Sequence, residues 1–229
     1  METKRYNIFN LIHKALRSMM FEAATAIQQT DFTNRDEAIV TIQRLEKVLD
    51  AFDDHADHED KYIMPAVERY AKPLVDELES QHVVDHELTH SLRDAISQWK
   101  TTQEETLMVE MGLKILYDFN EFIAFNLSHM NKEEVELNAV LWQYYSDPEI
   151  MHISHTLVSS IEPTILFETS RWMMASINSQ EAIAWLKGIK HNAPQEVYSL
   201  YMKLAQEELP ESRWQIIKTA LTKGSLQIA

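Results

Sequence analysis

Cysteine is absent from the 229 residues. With it go disulfides, thiolate metal ligands and cysteine nucleophiles. Glycine is scarce, at 3 residues, and proline occurs 6 times, so few turns are marked and long helices are expected. No run of about 18 apolar residues occurs, which argues against a membrane span. Positive charge is in the minority: 21 Lys and Arg stand against 36 Asp and Glu, a formal charge of −15. Such a surface repels phosphate backbones, so nucleic acid is not an expected partner. The first residues lead straight into an amphipathic pattern without an apolar signal core, and a cytoplasmic location is expected. What the chain does have is a hydrophobic share of 45%, normal for a packed core, and 10 histidines whose placement is informative.

Apolar residues recur at helical spacing almost throughout. A first helix is predicted over about 7–29, with Ile8, Leu11, Ile12, Ala15, Leu16, Met19 and Met20 on one side. Residues 30–34 read as a loop with capping residues. A second helix is predicted over about 35–71, and Pro65 inside it should bend the helix or free a carbonyl near Lys61. Lys72-Pro73 marks a short turn, a third helix follows to about 100, and a fourth spans about 104–144. Long helices with short connections imply an all-α fold, an up-down-up-down four-helix bundle over residues 1–146. Asp147-Pro148 then signals a restart. Residues 147–229 are expected to form an additional helical C-terminal region, over about 148–160, 162–177, 179–190, 194–209 and 210–221. Its Trp172, Trp185 and Trp214 need burial, on the bundle or on a partner chain, so a homodimer through these helices is expected.

Residues four apart on a helix lie about 40° apart around its axis and can reach one site. The second helix offers His55 and Glu59, the third His82 and His86, the fourth His129 and Glu133, and the first a single His13. His55 with His86, and Glu59 with His82, are placed symmetrically about the turn near Lys72-Pro73, so the helices can bring them to one level. Five histidines (His13, His55, His82, His86, His129) and two glutamates (Glu59, Glu133) suffice for two metal ions with an open coordination position. Imidazole and carboxylate suit iron, zinc or manganese. Glu134 rivals Glu133, and His90, four residues beyond His86, rivals His82.

These segments resemble the hemerythrin-like, or HHE cation-binding, family. The resemblance rests on His13 in IHKALR, His55 and Glu59 in HADHEDKYIMP, His82 and His86 in QHVVDHELTHSL, and His129 and Glu133 in NLSHMNKEE, and covers about residues 6–145. It implies a non-haem site of two iron ions (Fe2+/Fe3+), with an oxo or hydroxo bridge, that binds oxygen, nitric oxide or peroxide, or that stores or senses iron. Oxygen-carrying members usually place an Asp five residues after the last histidine. Here that position is Glu134, and Glu133 sits at the four-residue spacing. The shorter spacing is similar to that of bacterial di-iron proteins linked to iron–sulfur repair under nitrosative stress.

Taken singly, each histidine reads as an ordinary surface or core residue; together, on four helices at matching heights, they read as a site. His58 points about 60° away from His55. His152 and His155 lack partners and read as surface or interface residues. Tyr62 is expected in the core or lining the metal pocket, and Met19, Met20, Met64, Met108 and Met111 as core filling. Asp53, Asp54, Asp57 and Asp60 read as a solvated face, with guiding cations inward as the alternative. Asp85 and Glu87 are candidates to support the ligating imidazoles. The expected function is a di-iron protein that binds or senses a small molecule or iron. The alternatives are a di-iron oxidoreductase or iron-donating repair protein, and an interaction module with a structural metal.

Overall fold

A computed structural model describes residues 5–223. Every regular element among them is helical, and none is long and apolar enough to cross a membrane. The chain divides into two compact units, Met1–Ser160 and Ile161–Ala229.

The first unit is built on α1 (Asn10–Gln29), α2 (Arg35–His58), α3 (Met64–Thr101) and α4 (Glu105–Lys132). A wide, π-helical turn, Glu59–Ile63, joins α2 to α3, and a second, Glu133–Leu137, joins α4 to α5 (Asn138–Tyr144). The run from 35 therefore continues as helix past Pro65, as expected. It breaks at Ala71, where φ is −144° and ψ 51°, two residues before Pro73, which cannot supply an N–H to the preceding turn. Helix pairs α1–α2, α2–α3, α3–α4 and α1–α4 pack together, closing the ring of an up-down-up-down bundle.

Apolar stripes at helical spacing produce this packing. Leu16, Met20, Ile42, Leu45, Leu49, Leu92, Ile115, Phe119 and Phe122 are all buried between the helices, and each such side chain is worth about 1.5–3 kcal/mol relative to exposure. Asn34 caps α2 by accepting from the Glu37 N–H, and Asp36 and Glu37 sit in the first turn, where negative charge suits the helix dipole. At this end of the bundle the Phe32 ring lies on Gly112, where a Cβ would stand 2.4 Å from Phe32 Cγ. The Phe32 carbonyl accepts from Trp99 Nε1 at 3.0 Å.

At the other end α6 (Asp147–Val158) starts from Ser146, whose N–H donates to Glu149 at 2.8 Å. Arg5 donates to Asp147 at 2.5 Å and to the carbonyls of Trp142 and Tyr145. Ile150 is buried with Phe9, Ile63, Val75 and Leu141. Residues 147–160, assigned from sequence to the C-terminal region, thus share the core of the first unit, because the apolar face of α6 is buried there.

The second unit comprises α7 (Pro163–Ser176), α8 (Ser179–Asn192), α9 (Gln195–Glu208) and α10 (Glu211–Lys223). Its core holds Met174, Ile177, Leu186, Leu204, Trp214 and Ile217. Asn178 and Glu181 form a capping box at α8, and Ser170 and Tyr201 share a hydrogen bond of 2.9 Å.

Candidate metal centre

Four helices each contribute one imidazole to the middle of the bundle. His13 comes from α1, His55 from the last turn of α2, His82 from α3 and His129 from the last turn of α4. Glu59 and Glu133 open the two wide turns that follow His55 and His129. The spacing of four residues places each glutamate beside its histidine: His55 Nε2 is 3.1 Å from Glu59 Oε1, and His129 Nε2 is 3.1 Å from Glu133 Oε1.

The six side chains form two half-sites. In one, His13 and His55 bring their Nε2 atoms within 3.1 Å, and His13 Nε2 lies 3.6 Å from Glu59 Oε1 and 3.4 Å from Glu133 Oε2. In the other, His82 and His129 bring theirs within 3.1 Å, and His82 Nε2 lies 3.7 Å from Glu59 Oε2 and 3.9 Å from Glu133 Oε1. Both glutamates belong to both halves. Within each set of four, one donor atom per residue lies within 4.8 Å of every other.

Residues 5–141 match the family model of the hemerythrin HHE cation-binding domain. The chain belongs to that family. A 193-residue stretch is also 24% identical to a zinc finger protein, BRUTUS-like, of Arabidopsis thaliana. The match covers 82% of this chain but only 15% of that protein. No solved structure matches the chain significantly.

The hemerythrin-type domain orients its imidazoles from behind. His13 donates from Nδ1 to Glu134 at 3.0 Å, and Arg17 donates to the same oxygen at 2.8 Å. His82 donates from Nδ1 to Asp60 at 2.7 Å, and His129 from Nδ1 to Gln81 at 2.8 Å. A proton fixed on Nδ1 leaves Nε2 as the atom aimed inward. Asp60 and Glu134 directly follow the two shared glutamates, so each wide turn supplies an oxygen donor to both half-sites and an anchor to one distant histidine. Sequence reasoning missed both anchors. It read Asp60 as solvated and Glu134 as a rival of Glu133, although the adjacent acid pairs Glu59-Asp60 and Glu133-Glu134 carried the signal.

The structure does not bring His86 into the cluster. Its side chain is 47% exposed and donates from Nδ1 to Asp53 at 3.2 Å. Asp85 and Thr89 share the buried face of α3 with His82, and the four-residue step to His86 turns it about 40° further, to the exposed edge of that face. His90 is further out, 76% exposed beside Asp94. His58 stacks on Tyr62, and both line a surface groove of about 430 Å³ with Asp54, Asp57, Lys61 and Ser160. Tyr62 thus sits neither in the core nor in the cluster. His152 and His155 are exposed. Met19, Met20, Met64 and Met108 are buried as core. Asp85 is buried and Glu87 exposed.

The residues present suit metal ions. All four oxygens of Glu59 and Glu133 are buried without a hydrogen-bond partner, an expensive arrangement unless a cation completes it. Donor separations of 3.1–3.9 Å are those of atoms that surround a common ion at about 2.1 Å each. Without an ion, protons bear the load. Burial would lower His13, but Glu134, Glu59 and the charge of Glu133 raise it to about 9. Burial likewise opposes His82, which Asp60 and Glu59 raise to about 10. Burial pushes Glu59 up, yet His55, His13 and His82 hold it well below the usual carboxylate range. Glu133 is raised by burial and by the charge of Glu59. Glu134 falls to about 2, as His13 and Arg17 outweigh its burial.

Proposed function

We propose that the hemerythrin-type domain holds two iron ions, one per half-site, and that it binds or senses a small molecule (oxygen, nitric oxide or peroxide) or iron itself. The observation that carries this reading is the sharing of Glu59 and Glu133 between two histidine pairs. Two histidines and one oxygen from each glutamate would hold each ion, fewer donors than iron accepts, so a small molecule would have room to bind as a further ligand. Nitrogen and oxygen donors without thiolate suit iron, and zinc and manganese accept the same set. Iron, when bound, supplies redox chemistry and affinity for diatomic ligands.

The chain's own contributions are orientation and exclusion. Asp60, Glu134 and Gln81 hold His82, His13 and His129 in register. The six side chains are between 0% and 11% exposed, so only a small molecule reaches them without rearrangement.

The test is an absorption spectrum of the reduced, iron-loaded chain before and after adding oxygen, nitric oxide or peroxide. A new charge-transfer band with at least one of them, lost in His55→Ala, is the expected result. A loaded protein that is inert to all three, and needs metal only to fold, would overturn the sensing role in favour of a structural metal.

A further inference from the structure

The two halves of the bundle match in their histidines and glutamates but differ in the wall beside them. Three residues after His13 stands Leu16, and three after His82 stands Asp85. Three residues before His55 stands Phe52, and three before His129 stands Asn126. Seven residues after His13 stands Met20, and seven after His82 stands Thr89. All six are buried. One half is therefore flanked by apolar side chains (Leu16, Phe52 and the thioether of Met20) and the other by an acid, an amide and a hydroxyl.

This polar wall is costly. Asp85 is 3% exposed, and no Lys or Arg pairs with it among the described residues. Its hydrogen bond is from Asn126 Nδ2 at 2.5 Å, and that nitrogen also donates to the Phe122 carbonyl at 3.1 Å. Thr89 Oγ1 is buried with no partner at all. A buried acid without a counter-ion is destabilising, and the matched half fills the same place with leucine. The neighbours of Asp85 give this expense a direction. Asp85 stands three residues after His82 on α3, and Asn126 three before His129 on α4, so both lie within one helical turn of the half-site. Asp53 is 30% exposed, 3.2 Å from His86 and 2.8 Å from Arg93. Oxygen donors therefore stand at the surface at Asp53 beside His86, in the interior at Asp85, the residue before His86, and at the His82–His129 half-site.

We propose that Asp85, Asn126 and Thr89 form a transit site for a divalent cation passing from solvent into the His82–His129 half-site, with Asp53 and His86 at the outer end. The proposal rests on the two-ion reading above. Carboxylate, amide and hydroxyl oxygens suit a partly hydrated divalent ion, whereas imidazole holds a transition metal more tightly. The direction of transfer follows from that order. The opposite half offers no such route, because Leu16 and Phe52 carry no donor atom and the soft thioether of Met20 suits a partly hydrated divalent ion poorly.

The experiment is stopped-flow uptake of Co2+ by the metal-free full chain, followed by its visible absorption, with final metal content measured separately. The double variant Asp85→Leu/Asn126→Phe copies the other half. It is expected to take up ions at least tenfold more slowly while still reaching two per chain. Asp85→Asn, nearly isosteric, serves if the double variant does not fold, and is expected to slow uptake severalfold. Asp36→Asn removes an exposed charge elsewhere on α2 and should leave the rate unchanged. Wild-type rates in the Asp85 variants would overturn the proposal. So would final contents reduced to one, which would make Asp85 a support of the bound ion. If the wild-type chain itself takes up no pair of ions, it is the two-ion reading that fails, and the transit site falls with it.

Discussion

Glu59 and Glu133 occupy equivalent places in two wide turns on helices diagonal to each other in the bundle. The carbonyl of Glu59 accepts from the N–H of Met64, and that of Glu133 from the N–H of Asn138, each a step of five residues in place of four. Such turns interrupt the regular helix and occur often at functional sites. Pro65 follows the first, but no proline lies near the second. What the two turns share is a buried carboxylate facing the same four imidazoles.

The contrast between an inward and an outward residue is testable directly. Glu59→Ala removes oxygens from both half-sites and is expected to bind at least one ion fewer per chain. His86→Ala, at a position 47% exposed, is expected to keep the wild-type content. Metal analysis of the two purified variants, loaded identically, checks both, and the reverse pattern would refute the assignment of the donors.

The anchors behind the imidazoles carry their own expectation. Asp60→Ala frees His82, and Glu134→Ala frees His13. Loss of such a partner typically costs about 10–100-fold in metal affinity, and each variant should weaken one ion more than the other. Competition with a chelator of known strength measures this; wild-type affinity in both variants would remove the orienting role.

On the two-ion reading proposed above, protons and ions compete for the same Nε2 atoms. His13 and His82 are raised from 6.5 to about 9 and about 10 in the metal-free fold. The stability they lend that fold is complete below about 6.5 and is lost as pH rises through about 9 and then about 10. A bound ion needs the deprotonated nitrogen. The gap in Tm between loaded and metal-free protein should therefore widen as pH rises from 6.5 toward 9. Thermal melts at matched ionic strength test the sign, and a gap that narrows would contradict it.

Gly112 tests the bundle's far end independently of metal. An alanine there gains about 1 kcal/mol in helix propensity, but its Cβ would stand 2.4 Å from Phe32 Cγ. Phe32 must shift, and its carbonyl holds Trp99. Overpacking costs about 1–3 kcal/mol, so Gly112→Ala is expected to lower Tm with metal content unchanged. A raised Tm would show that the Phe32 ring moves at no cost.

Much of this arrangement was legible in the residues. Helical periodicity, the capping run before Arg35 and the break after Lys100 outlined the bundle, and the turn expected at Lys72-Pro73 lies beside the observed break at Ala71. Spacing of four placed Glu59 with His55 and Glu133 with His129, because that step keeps two side chains on one face. The same step could not separate His82 from His86: they stand about 40° apart around α3, and that turn takes one onto the buried face and leaves the other at its exposed edge. The anchors were hidden for a related reason. Asp60 and Glu134 look like solvated acids on their own helices, and their partners are imidazoles on other helices, far along the chain. The place of α6 was hidden too, since Asp147-Pro148 marks a new helix but not which core it joins.

The most direct measurement is the iron content of the full chain after reconstitution with Fe(II) without oxygen, followed by removal of loosely held metal. Two half-sites that share Glu59 and Glu133 predict two irons per chain. One iron, or none, would contradict the paired centre on which this account depends.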